Sequence, residues 1–322
     1  MARWPTAISG FAIAVAAQLA AAQSFPNKPI HLVVPYVPGG GGDIVARLLA
    51  EPLRQDLGQP IVVDNKPGAG GALGAAEVAR SAPDGHTVLF TAGGFVIGPA
   101  VLRSAGYDPV KDFTGVAQIA IVPLIVVTRP DSPLNSIGDL LALARRDGDK
   151  VTFASFGNGT PSHLVGEAIK SLGGVHMTHV PYKGGMQAVP DVLSGAVSVG
   201  ILDAVAMMPF VKQGRLKALA VTGPKRLPVL PDKPTLAEAG INFDAVGWHA
   251  AFVPAGVPPA VVARLNAAFA KAAARPEIRE SLLSGGSIPI EPPLTAEQWT
   301  AQYRREVAQW ADIVRISGAR AD

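Results

Sequence analysis

At 322 residues with 48% hydrophobic content, the chain exceeds the size at which a single core usually stops growing, so two domains are expected. Its 28 Lys and Arg against 25 Asp and Glu give a net charge of +3 spread along the whole length, with no basic patch, which argues against nucleic acid as a partner. The absence of cysteine excludes disulfides, thiolate metal sites and a cysteine nucleophile.

The first residues read as a secretory signal. Arg3 is the only charge before an Ala-rich apolar stretch from Ala7 to Ala22, which ends in Ala20-Ala21-Ala22-Gln23. A membrane anchor would need roughly 20 strongly apolar residues, whereas Ser9, Gly10 and Gln18 interrupt this stretch. Cleavage is expected near Ala22, and no cysteine is present there to carry a lipid, so the expected location is free in the periplasm.

Next in order, Ile30-His31-Leu32-Val33-Val34-Pro35 reads as a buried strand and Gly39-Gly40-Gly41-Gly42-Asp43 as a turn. Ile44, Leu48, Leu49, Leu53 and Leu57 then fall at helical spacing. Pro60 to Asp64 is a second strand, Gly68-Ala69-Gly70-Gly71 a turn into an Ala-rich helix, and Thr87 to Phe90 a third strand. Strands alternating with helices imply a mostly parallel sheet covered on its faces. The same order recurs: strand Val151 to Ser155, turn Gly157-Asn158-Gly159-Thr160, helix Pro161 to Leu172, strand Met177 to Pro181, turn Lys183-Gly184-Gly185, helix Met186 to Leu193 and strand Val197 to Leu202. Two similar lobes in tandem predict a cleft between them. The apolar segments Ile119 to Thr128 and Val246 to Pro254 fit strands that cross between the lobes, which puts 23–123 plus 249–322 in the first lobe and 124–248 in the second. Toward the end, Pro259 to Ala274 is helical, and Thr295-Ala296-Glu297-Gln298 is a capping box opening a helix whose Trp299, Tyr303, Val307, Trp310 and Val314 are expected to pack on the first lobe.

Gly39 to Gly42 and Gly157 to Thr160 each follow the first strand of a lobe and precede a helix. The first N–H groups of a helix lack internal partners and the dipole favours negative charge, so each turn is a potential anion site. Glycine lets the backbone itself approach a ligand, and ligands of open α/β sheets bind beyond the carboxyl ends of strands, where both turns fall. Nucleotide binding is poorly supported. There is no Gly-Lys-Ser/Thr ending, Gly39 to Asp43 does not complete G-x-G-x-x-G, and Gly68, Gly70 and Gly74 match only loosely. A hydrolase elbow G-x-S-x-G is absent, and Ser155 with His163 lacks an identifiable third member. His176 and His179 would point to opposite faces of a strand, which does not make a metal site. Asp203 reads equally as a helix cap and as an acceptor for a ligand ammonium or hydroxyl.

Over the whole mature chain the sequence resembles the substrate-binding receptors of tripartite tricarboxylate transporters, the Bug family. The residues that carry it include Val34-Pro35-Tyr36 with Pro38-Gly39-Gly40, Asp43, and Val63-Asp64-Asn65-Lys66-Pro67-Gly68-Ala69-Gly70-Gly71. Further on come Pro83-Asp84-Gly85, Tyr107-Asp108-Pro109, Ala154-Ser155 with Gly157, Gly159-Thr160 and His163, His179-Val180-Pro181-Tyr182-Lys183-Gly184, and Pro254-Ala255-Gly256. The resemblance implies a type II periplasmic-binding-protein fold, two α/β lobes around a ligand cleft joined by two crossing strands. It implies a ligand carboxylate held between the loop around Pro38 to Asp43 and the loop around Ser155 to Thr160, and delivery to membrane components of the transporter.

The binding residues expected are Tyr36, Pro38, Gly39, Gly40, Gly41, Gly42, Asp43, Ala92, Ser155, Phe156, Gly157, Thr160, His163, Tyr182 and Asp203. No cofactor, metal or catalytic residue is expected, and the chain is expected to act as a monomer. Gly42, Gly98 and His249 depart from what is common in the family, where Ser or Thr, Asn and an aromatic stand. With no Arg or Lys in either turn, donors are expected to be backbone and hydroxyl groups, and the lobes to close on the ligand. Sensing for a signalling partner, and an extracytoplasmic enzyme, are the competing readings.

Overall fold

The structure, a computed structural model, describes residues 25–317, so the expected signal peptide lies outside the described residues. Two sheets organise the chain. The first has strand order β11-β4-β10-β3-β1-β2, made of β1 (Ile30–Val34), β2 (Ile61–Asn65), β3 (Thr87–Ala92), β4 (Phe113–Val122), β10 (Gly247–Pro254) and β11 (Ile288–Pro289). The second has the order β7-β6-β8-β5-β9, made of β5 (Leu124–Thr128), β6 (Thr152–Ser155), β7 (Thr178–Pro181), β8 (Val199–Asp203) and β9 (Lys217–Val221). In the first, β1 runs parallel to β2 and β3 while β10 is antiparallel to β3 and β4. In the second, β6 is parallel to β7 and β8, and β5 is antiparallel to β8 and β9. β5 and β10, covered on both faces, are buried at every position, which is why they read as unbroken apolar runs and not as alternation.

The helices are α1 (Gly41–Leu57), α2 (Ala72–Ala79), α3 (Gly94–Val101), α4 (Ile137–Asp147), α5 (Pro161–Gly173), α6 (Gly185–Ser194), α7 (Ala204–Lys212), α8 (Pro259–Ala273), α9 (Pro276–Ser284) and α10 (Ala296–Ser317). Ile30, Leu32 and Val34 of β1 pack with Val45, Leu49 and Leu53 of α1 and with Leu265 and Phe269 of α8. The expected apolar face of α1 needs one correction. Val45, Leu49, Leu53 and Leu57 follow one another at steps of four and are buried, whereas Ile44 sits on the outer flank and is 38% exposed.

β4 gives way to β5 at Pro123, whose missing N–H suits a break between two ladders. The chain returns through residues 222–246 and enters the first sheet as β10. The capping box at the start of α10 is reciprocal: Thr295 N donates to Gln298 Oε1 at 2.9 Å and Gln298 N donates to Thr295 Oγ1 at 3.2 Å. Trp299 and Tyr303 are fully buried over β4, where a side chain at Gly115 would meet Trp299 Cδ1 at 2.8 Å. The helix does more than cover the first sheet. It also touches α5, and Trp310 and Val314 belong to the same continuous core as the second sheet.

Candidate functional site

Gly39 turns the chain out of β1 with φ 79°, a conformation that favours glycine. Its N–H donates to Asp43 Oδ2 at 2.9 Å, and Asp43 Oδ1 also accepts from Arg47 Nε and Asn65 Nδ2, each at 3.0 Å. Burial raises the Asp43 pKa, but the Arg47, Gly39 and Asn65 donors outweigh it and hold the carboxyl below its ordinary value. Asn65 Nδ2 donates to Tyr36 O as well, so one buried carboxylate and one amide fix the shape of the loop. Gly40, the N-cap of α1, offers no side chain to the first turn. The carboxylate of Asp203, from the other sheet, lies against Gly41 instead, where an added Cβ would meet its Oδ2 at 3.0 Å. Asp203 stands at the N-cap position of α7 yet makes no side-chain cap bond, which decides against the cap reading. Burial pushes its pKa up to about 6, against the lowering effect of the Gly41 donor.

The second lobe supplies the facing loop between β6 and α5. Thr160 caps α5, accepting from His163 N at 3.4 Å, and its hydroxyl donates to Gly157 O at 2.7 Å. Ser155 pairs with His179 Nε2 at 2.6 Å, because β7 lies beside β6 in register and brings His179 alongside. His163 and His179 stack with ring centroids 4.1 Å apart. Burial lowers both pKa values; that of His179 falls to about 3, with the charge on His163 and Lys170 adding to the effect. Ser155 is 0% exposed and accepts the Gly157 N–H, so it braces its own loop. Among the described residues there is no cluster of three His, Asp or Glu side chains that could hold a metal ion.

Between the sheets lies a chamber of about 610 Å³. Its walls are Pro35, Tyr36, Gly68 to Gly71, Leu102, Arg103 and Ser104 on one side and Phe156, Gly157, Asn158, Pro181, Tyr182 and Lys183 on the other. A void of about 20 Å³ adjoins it at Tyr36 and Phe156 and is bounded by Gly40, Gly41, Gly42, Ala92, Gly184, Gly185, Asp203 and His249. Of the expected binding residues, Tyr36, Phe156, Gly157 and Tyr182 line the chamber, and Gly40, Gly41, Gly42, Ala92 and Asp203 line the void. Pro38 is exposed and lines neither space, while Gly39, Asp43, Ser155, Thr160 and His163 support the loops from behind.

Sequence reasoning missed Gly68 to Gly71, Arg103, Ser104, Asn158 and Lys183 as lining residues. The glycine run at 68–71 was a visible signal: Gly70 approaches the second lobe so closely that a side chain there would meet Asn158 O at 2.5 Å. Arg103 and Lys183 carry no comparable mark, since each is a lone cation in its segment. Neither makes an ion pair or hydrogen bond among the described residues, in contrast to Lys66, which lies 3.4 Å from Glu77. The chamber wall holds no Asp or Glu, so it is a net positive space lined by three aromatic rings, those of Tyr36, Phe156 and Tyr182.

Comparison with known proteins agrees with this geometry. The model of the tripartite tricarboxylate transporter family receptor matches residues 45–318. Protein BugT of Bordetella pertussis is 34% identical over 319 residues, covering 98% of this chain and 97% of that protein. The solved periplasmic binding protein BugD superposes with a TM-score of 0.88 at 34% identity, covering 92% of this chain and 100% of that one. An R. palustris protein solved with adipate gives 0.87 at 32% identity, covering 92% and 99%. MatC from Rhodopseudomonas palustris with bound malate gives 0.84 at 32%, covering 90% and 100%. The paired sheets are therefore those of a periplasmic binding protein, and the chain belongs to the receptor family of the tripartite tricarboxylate transporters.

Proposed function

We propose that this chain is an extracytoplasmic receptor that closes two lobes on a small carboxylate and hands it to the membrane components of a tripartite transporter. The observation that carries this reading is the chamber: both sheets wall it, its two cations are free of partners, and no acidic side chain faces it. Its size falls in the range of small-molecule sites, roughly 300–1,000 Å³. Arg103 comes from the first lobe and Lys183 from the second, so an anion held by both links the lobes, and these cations join the backbone and hydroxyl donors expected of the two turns. The carboxylates named with the R. palustris structures fit such a chemistry. Residues 23–123 plus 249–322 act as one lobe and 124–248 as the other. Tyr36, Phe156, Gly157 and Tyr182 contact the ligand, while Asp43, Ser155, Thr160 and His163 hold its two loops in shape. The segment 1–22 is removed on export, and the receptor works as a monomer.

Capture without conversion suits a site whose Ser155, His163 and His179 are spent on internal bonds. The test is thermal shift of the purified mature protein against mono-, di- and tricarboxylates, acidic amino acids and aromatic acids, since a ligand that binds only the native state raises its apparent stability. A hit that weakens at least tenfold in Lys183→Ala and in Arg103→Ala, and is recovered unchanged after incubation, supports the reading. A folded, ligand-free protein that responds to no acid, or that turns one over, overturns it.

A further inference from the structure

The void beside the chamber has a chemistry of its own. Its volume of about 20 Å³ suits a single water-sized group, which needs roughly 10–15 Å³. Asp203, His249 and Tyr36 are its polar side chains, the Tyr36 hydroxyl lying 3.4 Å from Thr91 Oγ1, and no lysine or arginine lines it. The Asp203 carboxylate lies against Gly41 and makes no ion pair among the described residues, although an ionised carboxylate has about four acceptor positions. His249 is 1% exposed, and its Nδ1 has no hydrogen-bond partner. Its burial lowers the pKa to about 3, so the ring is neutral, and with its proton on Nε2 the unpartnered Nδ1 accepts. A carboxylate without a cation and an imidazole with an unused nitrogen, enclosed between two lobes, are costly unless a donor meets them.

We propose that Asp203 and His249 form a subsite for a hydrogen-bond donor carried by the ligand, a hydroxyl or ammonium on the carbon next to its carboxylate, and thereby select substituted acids over their plain counterparts. The inference rests on the carboxylate-receptor reading and adds the second group of the ligand to it. Tyr36 and Phe156 wall both spaces, so a carboxylate in the chamber places its neighbouring substituent toward the void. The small volume admits one heavy atom, and the negative charge of Asp203 turns away a second carboxylate.

The test is calorimetric titration of the full mature protein with two matched series, succinate, malate and aspartate, and glutarate, 2-hydroxyglutarate and glutamate. In the protein as it stands, the hydroxy or the amino member of a series binds at least tenfold tighter than the plain acid, and which of the two leads identifies the donor. In Asp203→Asn that preference falls to within threefold, and His249→Phe, read independently should the first variant fail to fold, lowers it as well. Plain acids that bind as tightly as substituted ones, or a preference that survives both changes, sink the subsite while leaving the receptor reading in place. Tighter binding of every acid by Asp203→Asn also sinks it, by showing that Asp203 competes with the ligand carboxylate for Gly41. A folded protein that binds none of the six sinks the subsite, and the receptor reading then stands or falls with the wider panel of acids.

Discussion

Glycine at position 41 does two things at once. It starts α1 against the carboxylate of Asp203, and it leaves room for the second lobe, since a side chain there would meet Val205 Cγ1 at 2.7 Å and Asp203 Oδ2 at 3.0 Å. Gly41→Ala should therefore split two measurements. Alanine is the better helix former by about 1 kcal/mol, so the melting temperature of the unliganded protein is expected to hold or rise. Ligand affinity is expected to drop at least tenfold, because the lobes cannot close over a methyl group. Unchanged affinity would mean that the α1–Asp203 contact is no part of the bound state.

The buried histidines set the acid limit of stability. His179 and His249 both have folded pKa values of about 3, below the ordinary value of 6.5, so the unfolded chain binds more protons between those limits. Their contribution is complete above pH 6.5 and is lost as the pH falls toward 3, at up to about 1.4 kcal/mol per pH unit for each ring. Asp203 works the other way, with its contribution full below 3.8 and lost as the pH rises through about 6. Two rings against one carboxyl leave the net slope with the histidines. Melting temperature is expected to fall between pH 6.5 and 4, and His249→Phe is expected to flatten that fall; an equally steep profile in the variant would refute the assignment.

At the scale of elements, α10 is the clearest case of sequence dictating structure. The capping box and the apolar positions at helical spacing specified a helix with a buried face, and both are present. What local pattern could not contain was the partner of the far half of that face, because α10 also touches α5, more than a hundred residues back in the chain, and shares its continuous core. The same limit governed the site. Glycine turns before helices are local and were legible, whereas the pairing of Ser155 with His179 depends on strand register, and Arg103 and Lys183 become a pair only when two lobes face each other. Trp299→Ala is expected to cost about 3–5 kcal/mol, since the indole fills the space over Gly115. Thr295→Ala, which removes one cap bond from an exposed terminus, is expected to cost only about 1 kcal/mol. Denaturant unfolding of both variants checks the ranking, and a cap loss as large as the tryptophan loss would contradict it.

For the whole molecule, the two sides of the inter-lobe boundary differ in kind. On one side, a continuous apolar core carries Trp299, Tyr303 and Trp310 across to the second sheet, which resists separation. On the other, glycines let the lobes approach closely: Gly70 against the Asn158 carbonyl, Gly41 against the side chains of Asp203 and Val205, and Gly184 against the side chain of Val37. Such a seam buries little apolar surface per contact and can part at modest cost, so hinge motion about the core side follows from the packing. The chain has no cysteine, which makes the motion open to a direct trap. A Cβ at Gly184 would lie 3.5 Å from Val37 Cβ, and Gly184 has an extended φ of 175° that any residue adopts. Disulfides need a Cβ separation of about 3.5–4.5 Å, so Val37→Cys with Gly184→Cys should cross-link only when the lobes are shut. Saturating ligand is expected to speed cross-linking under mild oxidation, read on a non-reducing gel, and the oxidised protein is expected to release ligand at least tenfold more slowly than the reduced one. Cross-linking at the same rate with and without ligand, together with unaltered release, would show instead that the lobes are already fixed and that ligand enters a preformed chamber.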